Sequence, residues 1–137
     1  MSRCYIKKSQ WDYNIVTSHI VMSGHLNGAM RLFGGTLIQW VDEAAALYSM
    51  EILQSRRVVT KKISEIIFNN PAMLGDVLDL LFRLKEVGRS SLTLSCIVQT
   101  KSLGHDEGVK EILECDLVFV NIDENGLATP HHLNAKH

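Results

Sequence analysis

The sequence predicts an α+β fold in which one long α-helix packs on an antiparallel sheet of about five strands. Three observations support this: one segment with helical spacing of apolar residues, four later segments rich in strand-forming residues, and short turns rather than long loops between them. A chain of 137 residues has the size of one domain. We expect a single domain over residues 1–137, with its core from about 10 to 126 and a polar tail from 127 to 137.

The composition excludes several classes of protein. A net charge of −1 gives no basic excess with which to bind nucleic acid. No apolar run approaches the roughly 20 residues that span a bilayer, so we expect no membrane segment. The three cysteines have no metal-ligand spacing and cannot all pair, which favours a reducing, cytoplasmic location without a disulfide framework or a metal site.

The first half of the chain predicts a strand and then the helix. Ile15 to Met22 is rich in Ile and Val and ends at a Ser-Gly turn, and residues 3 to 8 form a shorter extended piece. From Thr36 to about Leu53, apolar residues recur at helical spacing and form one stripe. The residues of this stripe are Leu37, Val41, Ala44, Ala45, Tyr48 and Ile52.

The second half predicts four strands joined by short turns. The first three cover Val58 to Asn69, Asp76 to Val87, and the segment that follows Gly88-Arg89, and the last covers Ile112 to Ile122. Cys96 and Cys115 fall on apolar faces of the last two, where we expect small core residues. One helix covers only one face of such a sheet, so we expect two chains to pair. One helix wrapped by a curved antiparallel sheet is the hot-dog fold.

Gly34 and Gly35 come directly before the helical stripe. Glycines let a ligand approach the backbone closely, and the first amides of a helix lack partners within the helix. Such a helix start can stabilise the oxyanion that forms when a carbonyl group is attacked. The alternative is that the glycine pair only turns the chain beneath the sheet.

Asp42 is an acidic residue within the apolar part of the helix. Trp40, Val41 and Ala44 flank it, so we expect it to be half-buried, which is costly for a carboxylate that is neither paired nor used. Glu43 points about 100° further round the helix and fits a solvated edge better. Asp42 is therefore the candidate catalytic carboxylate.

The spacing of Gly35 and Asp42 predicts a site shared between two subunits. Seven residues at about 1.5 Å rise separate them by about 10 Å along the helix axis. One carbonyl group cannot reach both groups of the same helix. If both act on one bond, they come from different subunits, and a monomer is inactive.

Several segments resemble the hot-dog acyl-CoA thioesterases. "NGAMRLFGGTLIQWVDEAA" begins at Asn27 and resembles the helix-opening motif of this family. It is followed in order by "FNNP" from Phe68, "GD" from Gly75, "VGRSSL" from Val87 and "LVFVNID" from Leu117. The matches extend from about residue 15 to 126. In one departure, this chain has Met30 where many relatives have glycine, which affects the loop or the acyl pocket.

The resemblance implies hydrolysis of an acyl-CoA to free acid and CoA. Asp42 is implied as general base or nucleophile, Asn27 as its catalytic partner from the other subunit, and the Gly35 amide as the oxyanion donor. Residues implied to contact the substrate or its CoA are Gly34, Thr36, Gly88, Arg89 and Ser90. No cofactor is implied, because CoA is part of the substrate, and the minimal unit is a homodimer that assembles further into a tetramer or hexamer.

Two other functions remain open from the sequence. A hot-dog domain can bind acyl-CoA without cleaving it, or it can dehydrate a hydroxyacyl thioester, although the helix here carries no histidine. His25 lies close enough to Asn27 in sequence to assist it. His131, His132 and His137 follow Pro130 in the polar tail, where we expect fraying rather than a zinc site.

Overall fold

The structure, a computed structural model, describes residues 4–104, 108–131 and 133–134. Short 3₁₀ turns at Lys8–Trp11 and Ser23–His25 flank the second strand. The remaining elements, in chain order, are β1 (Cys4–Tyr5), β2 (Asn14–Ile20), α1 (Gly34–Leu53), β3 (Val58–Ile63), β4 (Ile67–Phe68), β5 (Val77–Val87), β6 (Ser91–Thr100), β7 (Glu111–Asn121) and β8 (Leu133–Asn134).

The main sheet is antiparallel and open. Its strand order is β2-β5-β6-β7-β3, and β4 pairs with β7 beyond the end of β3, so the sheet has six strands. The prediction of about five strands differs because the segment from Val58 to Asn69 divides in two. Between its parts, the Ser64 N–H donates to the Asp116 carbonyl at 2.8 Å, and the Ser64 hydroxyl accepts the Asp116 N–H at 2.8 Å. The side chain thus replaces one regular sheet bond, and β3 with β4 forms one edge of the sheet.

The helix α1 lies against the sheet through the predicted stripe, all six residues of which are buried. It begins two residues earlier than predicted, at Gly34, because the glycines themselves adopt helical geometry. It ends at Leu53, because the next residue, Gln54, is left-handed with φ +50°, and its N–H donates to the Met50 carbonyl. A helix of 20 residues is about 30 Å long, so its two ends lie in different parts of the molecule.

The core lies between α1 and the inner face of the sheet. The alternation predicted for the long strands is confirmed, since Leu78, Leu80, Phe82 and Leu84 of β5 are fully buried. Burial of each such side chain stabilises the fold by about 1.5–3 kcal/mol. Cys96 and Cys115 stand directly opposite each other on β6 and β7 as buried free thiols, which confirms their predicted place in the core.

The predicted fraying of the tail is wrong for the part that the structure describes. The ring Nε2 of His131 bonds to the carbonyl of Ser91 at 3.0 Å, and the backbone N–H of His131 donates to the carbonyl of Arg89 at 3.2 Å. The next strand, β8, pairs in parallel with β1. Long-range bonds therefore hold residues whose local sequence is polar. His132 and His137 lie outside the described residues.

Within the described ranges, no helix has the length and apolar character that a membrane crossing requires.

Candidate functional site

The loop before α1 holds Asn27 in a fixed orientation. The side-chain Oδ1 of Asn27 accepts the N–H of Ala29 at 2.9 Å and that of Arg31 at 3.2 Å. Its backbone N–H donates to the Arg31 carbonyl at 2.8 Å, and a β-bridge joins Leu26 to Leu32. Because Oδ1 is engaged by the loop, the Nδ2 group is the part of this amide that can donate to a ligand.

His25 orders the same loop from the other side. Its Nδ1 accepts the Met22 N–H at 2.9 Å, so that nitrogen is unprotonated. The His25 ring lies perpendicular to that of Trp40, with 4.9 Å between the ring centroids, while His19 stacks on the same indole with a centroid distance of 4.3 Å. Burial lowers the pKa of His19, although Glu43 opposes this effect. These contacts give His25 a structural role in the loop that carries Asn27.

Met30 has a strained backbone in this loop. Its φ of +60° lies in the left-handed region, which costs a non-glycine residue about 1–2 kcal/mol, and its side chain is 61% exposed. The departure from glycine noted in the sequence therefore falls on a position whose geometry favours glycine. The loop keeps its shape in spite of Met30, because the Met30 N–H still donates to the Asn27 carbonyl at 3.0 Å.

The first turn of α1 presents backbone donors without a side-chain cap. Phe33 is the N-cap residue and makes no capping bond with its side chain, while its carbonyl accepts the Leu37 N–H at 3.1 Å. The amides of Gly34, Gly35 and Thr36 have no hydrogen-bond partner among the described residues. Such donors at the positive end of a helix dipole favour a negatively charged or polarised oxygen.

A pocket of about 280 Å³ opens beside this helix start. It lies between the loop of Asn27, the first turn of α1 and the segment that follows β4. Its lining residues are Asn27, Arg31, Leu32, Gly34, Leu37, Phe68, Asn69, Asn70, Pro71, Ala72 and Ile112. The structure thus brings two predicted site residues, Asn27 and Gly34, to one pocket.

The two glycines differ in what surrounds them. A Cβ atom added to Gly34 would lie 3.3 Å from Cζ of Phe68, so the aromatic ring packs directly on this backbone. A Cβ atom added to Gly35 would meet nothing within 4 Å among the described residues, and Gly35 is exposed. Gly34 therefore serves close packing, whereas a side chain at Gly35 would extend into open space.

Asp42 is half-buried, as predicted, two turns further along α1. Its Oδ1 accepts a hydrogen bond from the hydroxyl of Thr60 at 2.7 Å, while Glu43 is exposed and pairs with Gln39. Thr60 belongs to the edge strand β3, where the register with β7 shifts between Thr60 and Lys62. No sequence signal marks Thr60, because only the position of β3 beside the helix places its hydroxyl at the carboxylate.

The turn Gly88–Ser90 lies apart from this pocket. The Ser90 carbonyl accepts the Asn121 N–H at 2.7 Å, and the Asn121 side chain accepts the hydroxyl of Ser55, just after α1. The turn is therefore near the end of the helix opposite to Gly34. Arg89 extends from it as an exposed cation, and a Cβ atom at Gly88 would clash with the Ser91 hydroxyl.

A single chain does not bring all the predicted site residues together. Asn27 and Gly34 line the pocket, Asp42 faces Thr60 at the sheet edge, and the turn that carries Arg89 lies beyond the other end of the helix. Within the described ranges, no group of three or more His, Cys, Asp or Glu side chains is arranged to hold a metal ion. The chemistry available here is that of one carboxylate and several N–H donors.

Comparisons with known proteins agree on one family. The family model of the thioesterase superfamily matches residues 31–104. An uncharacterized acyl-CoA thioester hydrolase of Zymomonas mobilis is 33% identical over 106 residues, which cover 77% of this chain and 70% of that protein. The acyl-CoA thioester hydrolase YciA of Salmonella typhimurium is 26% identical over 118 residues, which cover 85% of this chain and 88% of the relative.

Solved structures give the same result. The hexameric thioesterase y2039 of Yersinia pestis has a TM-score of 0.79 at 27% identity, with 86% of this chain and 94% of that chain covered. A hexameric acyl-CoA thioesterase solved without ligand has a TM-score of 0.83 at 26% identity, with coverages of 97% and 83%.

Proposed function

The chain belongs to the thioesterase superfamily, and on this premise we propose that it hydrolyses the thioester bond of acyl-CoA substrates, releasing a free acid and CoA. The proposal rests on the environment of Asp42. Its carboxylate is half-buried and accepts a hydrogen bond from the hydroxyl of Thr60, which lies on the edge strand β3. A structural carboxylate in such a position is normally paired with a cation or with several donors. Here one hydrogen bond orients Oδ1 and leaves Oδ2 available for chemistry.

The proposed reaction needs one base and two donors. Asp42 takes a proton from water while the water oxygen attacks the thioester carbon, or attacks that carbon itself as a nucleophile. The Nδ2 of Asn27 and the N–H of Gly35 donate to the carbonyl oxygen as it becomes negative. In the first route the C–S bond then breaks, and the CoA thiolate takes the proton that Asp42 removed from water. In the second route loss of CoA leaves an acyl anhydride on Asp42, which water hydrolyses to the free acid and the restored carboxylate, and the CoA thiolate takes its proton from that water. A thiolate is a good leaving group, so no metal or cofactor is required.

We propose that each site contains residues of two subunits. Asp42 and Thr60 lie at the edge that β3 leaves unpaired on one side, where a second chain can add its own strand. The pocket with Asn27 lies at the helix start, and the helix rise separates it from Asp42 of the same chain. An antiparallel pair of chains brings the helix start of one towards Asp42 of the other. Since similar structures are hexameric, we expect a hexamer built from such dimers.

Arg89 is proposed to bind a phosphate group of CoA. It is an exposed cation on a tight turn, next to Ser90, and its guanidinium group matches the geometry of phosphate oxygens. The buried free thiols of Cys96 and Cys115 support the expected reducing cytoplasm as the compartment.

Thiol release from a panel of acyl-CoAs tests the proposal. The wild-type protein is expected to release one thiol and one acid for each substrate consumed, followed with a thiol reagent and by mass spectrometry. Tight binding of every acyl-CoA without thiol release would instead identify a binding module. Formation of an enoyl thioester from a hydroxyacyl-CoA would identify a dehydratase.

Replacing Thr60 with valine is expected to lower kcat by about 10–100-fold, with little change in KM. Valine keeps the shape of threonine but removes the hydroxyl that orients Asp42, and a hydrogen bond to a charged group contributes about 1.5–3 kcal/mol. Steady-state kinetics measure this effect. The matched control is Thr60→Ser, which keeps the hydroxyl and should recover most of kcat. Equal losses in both variants would show that Thr60 acts only through packing.

A further inference from the structure

The pocket beside the helix start has an apolar floor and a polar rim. Leu32, Leu37, Ala72 and Ile112 form the floor, and all four are buried in the core. Asn27, Arg31, Asn69 and Asn70 belong to the rim. A ligand that fills this pocket therefore has an apolar part that goes in and a polar part that remains at the opening.

The polar groups at the opening are those proposed to polarise the thioester carbonyl. Asn27 and Gly34 line the pocket directly, and Gly35 follows in the same helical turn. A carbonyl carbon held there has two substituents, the sulfur of CoA and the acyl group. CoA is large and polar and must leave towards solvent, whereas the acyl group matches the apolar floor.

Phe68 forms the wall of this pocket on the side of the sheet edge. Its ring lies 3.3 Å from the position that a Cβ atom at Gly34 would occupy, so it stands beside the first turn of α1. Even so, 52% of Phe68 is exposed. Few neighbours therefore hold the ring, and β4 is a strand of only two residues. The wall separates the pocket from the open edge of the sheet.

We propose that this pocket receives the acyl group and that Phe68 limits its length, so that the enzyme prefers short acyl chains. The inference rests on the proposed acyl-CoA hydrolysis and adds a residue that determines specificity. The pocket holds only about 280 Å³, and the Phe68 ring lines it on the side of the edge strand β4, where a longer acyl chain would have to continue. Removing the ring is expected to widen the pocket on the side of the sheet edge and so to make room for a longer chain.

Replacing Phe68 with alanine is expected to shift the acyl-chain preference. In a series of straight-chain acyl-CoAs of increasing length, kcat/KM for long chains relative to short chains should rise by at least about tenfold, the order of discrimination that small changes of an apolar pocket produce. Phe68→Leu, which fills part of the space, should give a smaller shift in the same direction. A thermal unfolding curve and gel filtration show that each variant remains folded and assembled.

The matched control is Ile67→Ala. Ile67 precedes Phe68 on β4, is 42% exposed, and does not line the pocket, since neighbouring residues of a strand point to opposite faces. It should leave the chain-length profile unchanged. If the wild type hydrolyses acyl-CoA but Phe68→Ala and Phe68→Leu keep its profile, or Ile67→Ala shifts it equally, this inference is wrong and the proposed function stands. If the wild type cleaves no acyl-CoA, the proposed function fails and this inference fails with it.

Discussion

Replacing Asp42 with asparagine is expected to lower kcat for acyl-CoA hydrolysis by about 10²–10⁴-fold, the contribution typical of a general base. Asparagine has nearly the same shape as aspartate but can neither accept a proton from water nor attack a carbonyl carbon. The Thr60 hydroxyl can still donate to its amide oxygen, so the local packing persists. Thiol release under saturating substrate measures the loss.

Fold and assembly should survive this change. Asp42 is half-buried and bears one hydrogen bond in the described structure, so asparagine removes a charge without opening a cavity. Glu43→Gln is the control. Glu43 is the next residue and is exposed, and its carboxylate accepts a hydrogen bond from the Gln39 side chain. It should keep kcat within about twofold, as is usual for surface positions. Unchanged turnover in Asp42→Asn would exclude Asp42 as the catalytic group.

Much of the fold could be predicted because its elements follow simple periodicities. The stripe from Leu37 to Ile52 has the spacing of a helix, and the residues from Leu78 to Leu84 alternate as in a half-buried strand. The predicted hot-dog fold is confirmed by the helix-on-sheet architecture and by its similarity to solved thioesterases. Each helix or strand must place apolar residues on the face that it buries, so the spacing of these residues in the sequence indicates the type of element.

The errors have a different physical origin. The segment Val58 to Asn69 is rich in strand-forming residues along its whole length, yet Ser64 exchanges two hydrogen bonds with Asp116 and divides it. His131 is held by Ser91 and Arg89, which are 40 or more residues away in sequence. Bonds between distant residues leave no periodic signal, so neither feature could be read from local composition.

The candidate site was predicted in part for the same reasons. Asp42 stands out as a charge within an apolar stripe, and Gly34-Gly35 as an adjacent glycine pair at a helix start. Thr60 lies in a predicted strand, where threonine is common, so it does not differ from its surroundings as Asp42 does. The role proposed for Phe68 depends on the position of its ring beside Gly34, 34 residues earlier, which only the three-dimensional structure reveals.

The central claim is that each site combines Asn27 and the helix start of one subunit with Asp42 of another. Mixing two inactive variants tests it. Asp42→Asn lacks the carboxylate, and Asn27→Asp keeps the Oδ1 atom that the loop requires but loses the Nδ2 donor. A mixed dimer contains one site in which both changes meet and one site in which both residues are wild type.

Co-expression of the two variants with different affinity tags, followed by isolation of mixed assemblies, is the most direct measurement. Random association of equal amounts should restore about a quarter of the wild-type kcat per subunit before the mixed assemblies are purified, because half of the dimers are mixed and each has one intact site. Assemblies purified as mixed dimers should reach about half, whereas mixed hexamers whose dimers pair at random should stay near a quarter. If assemblies shown by both tags to be mixed remain as inactive as the two parents, Asn27 and Asp42 of different subunits do not form one site.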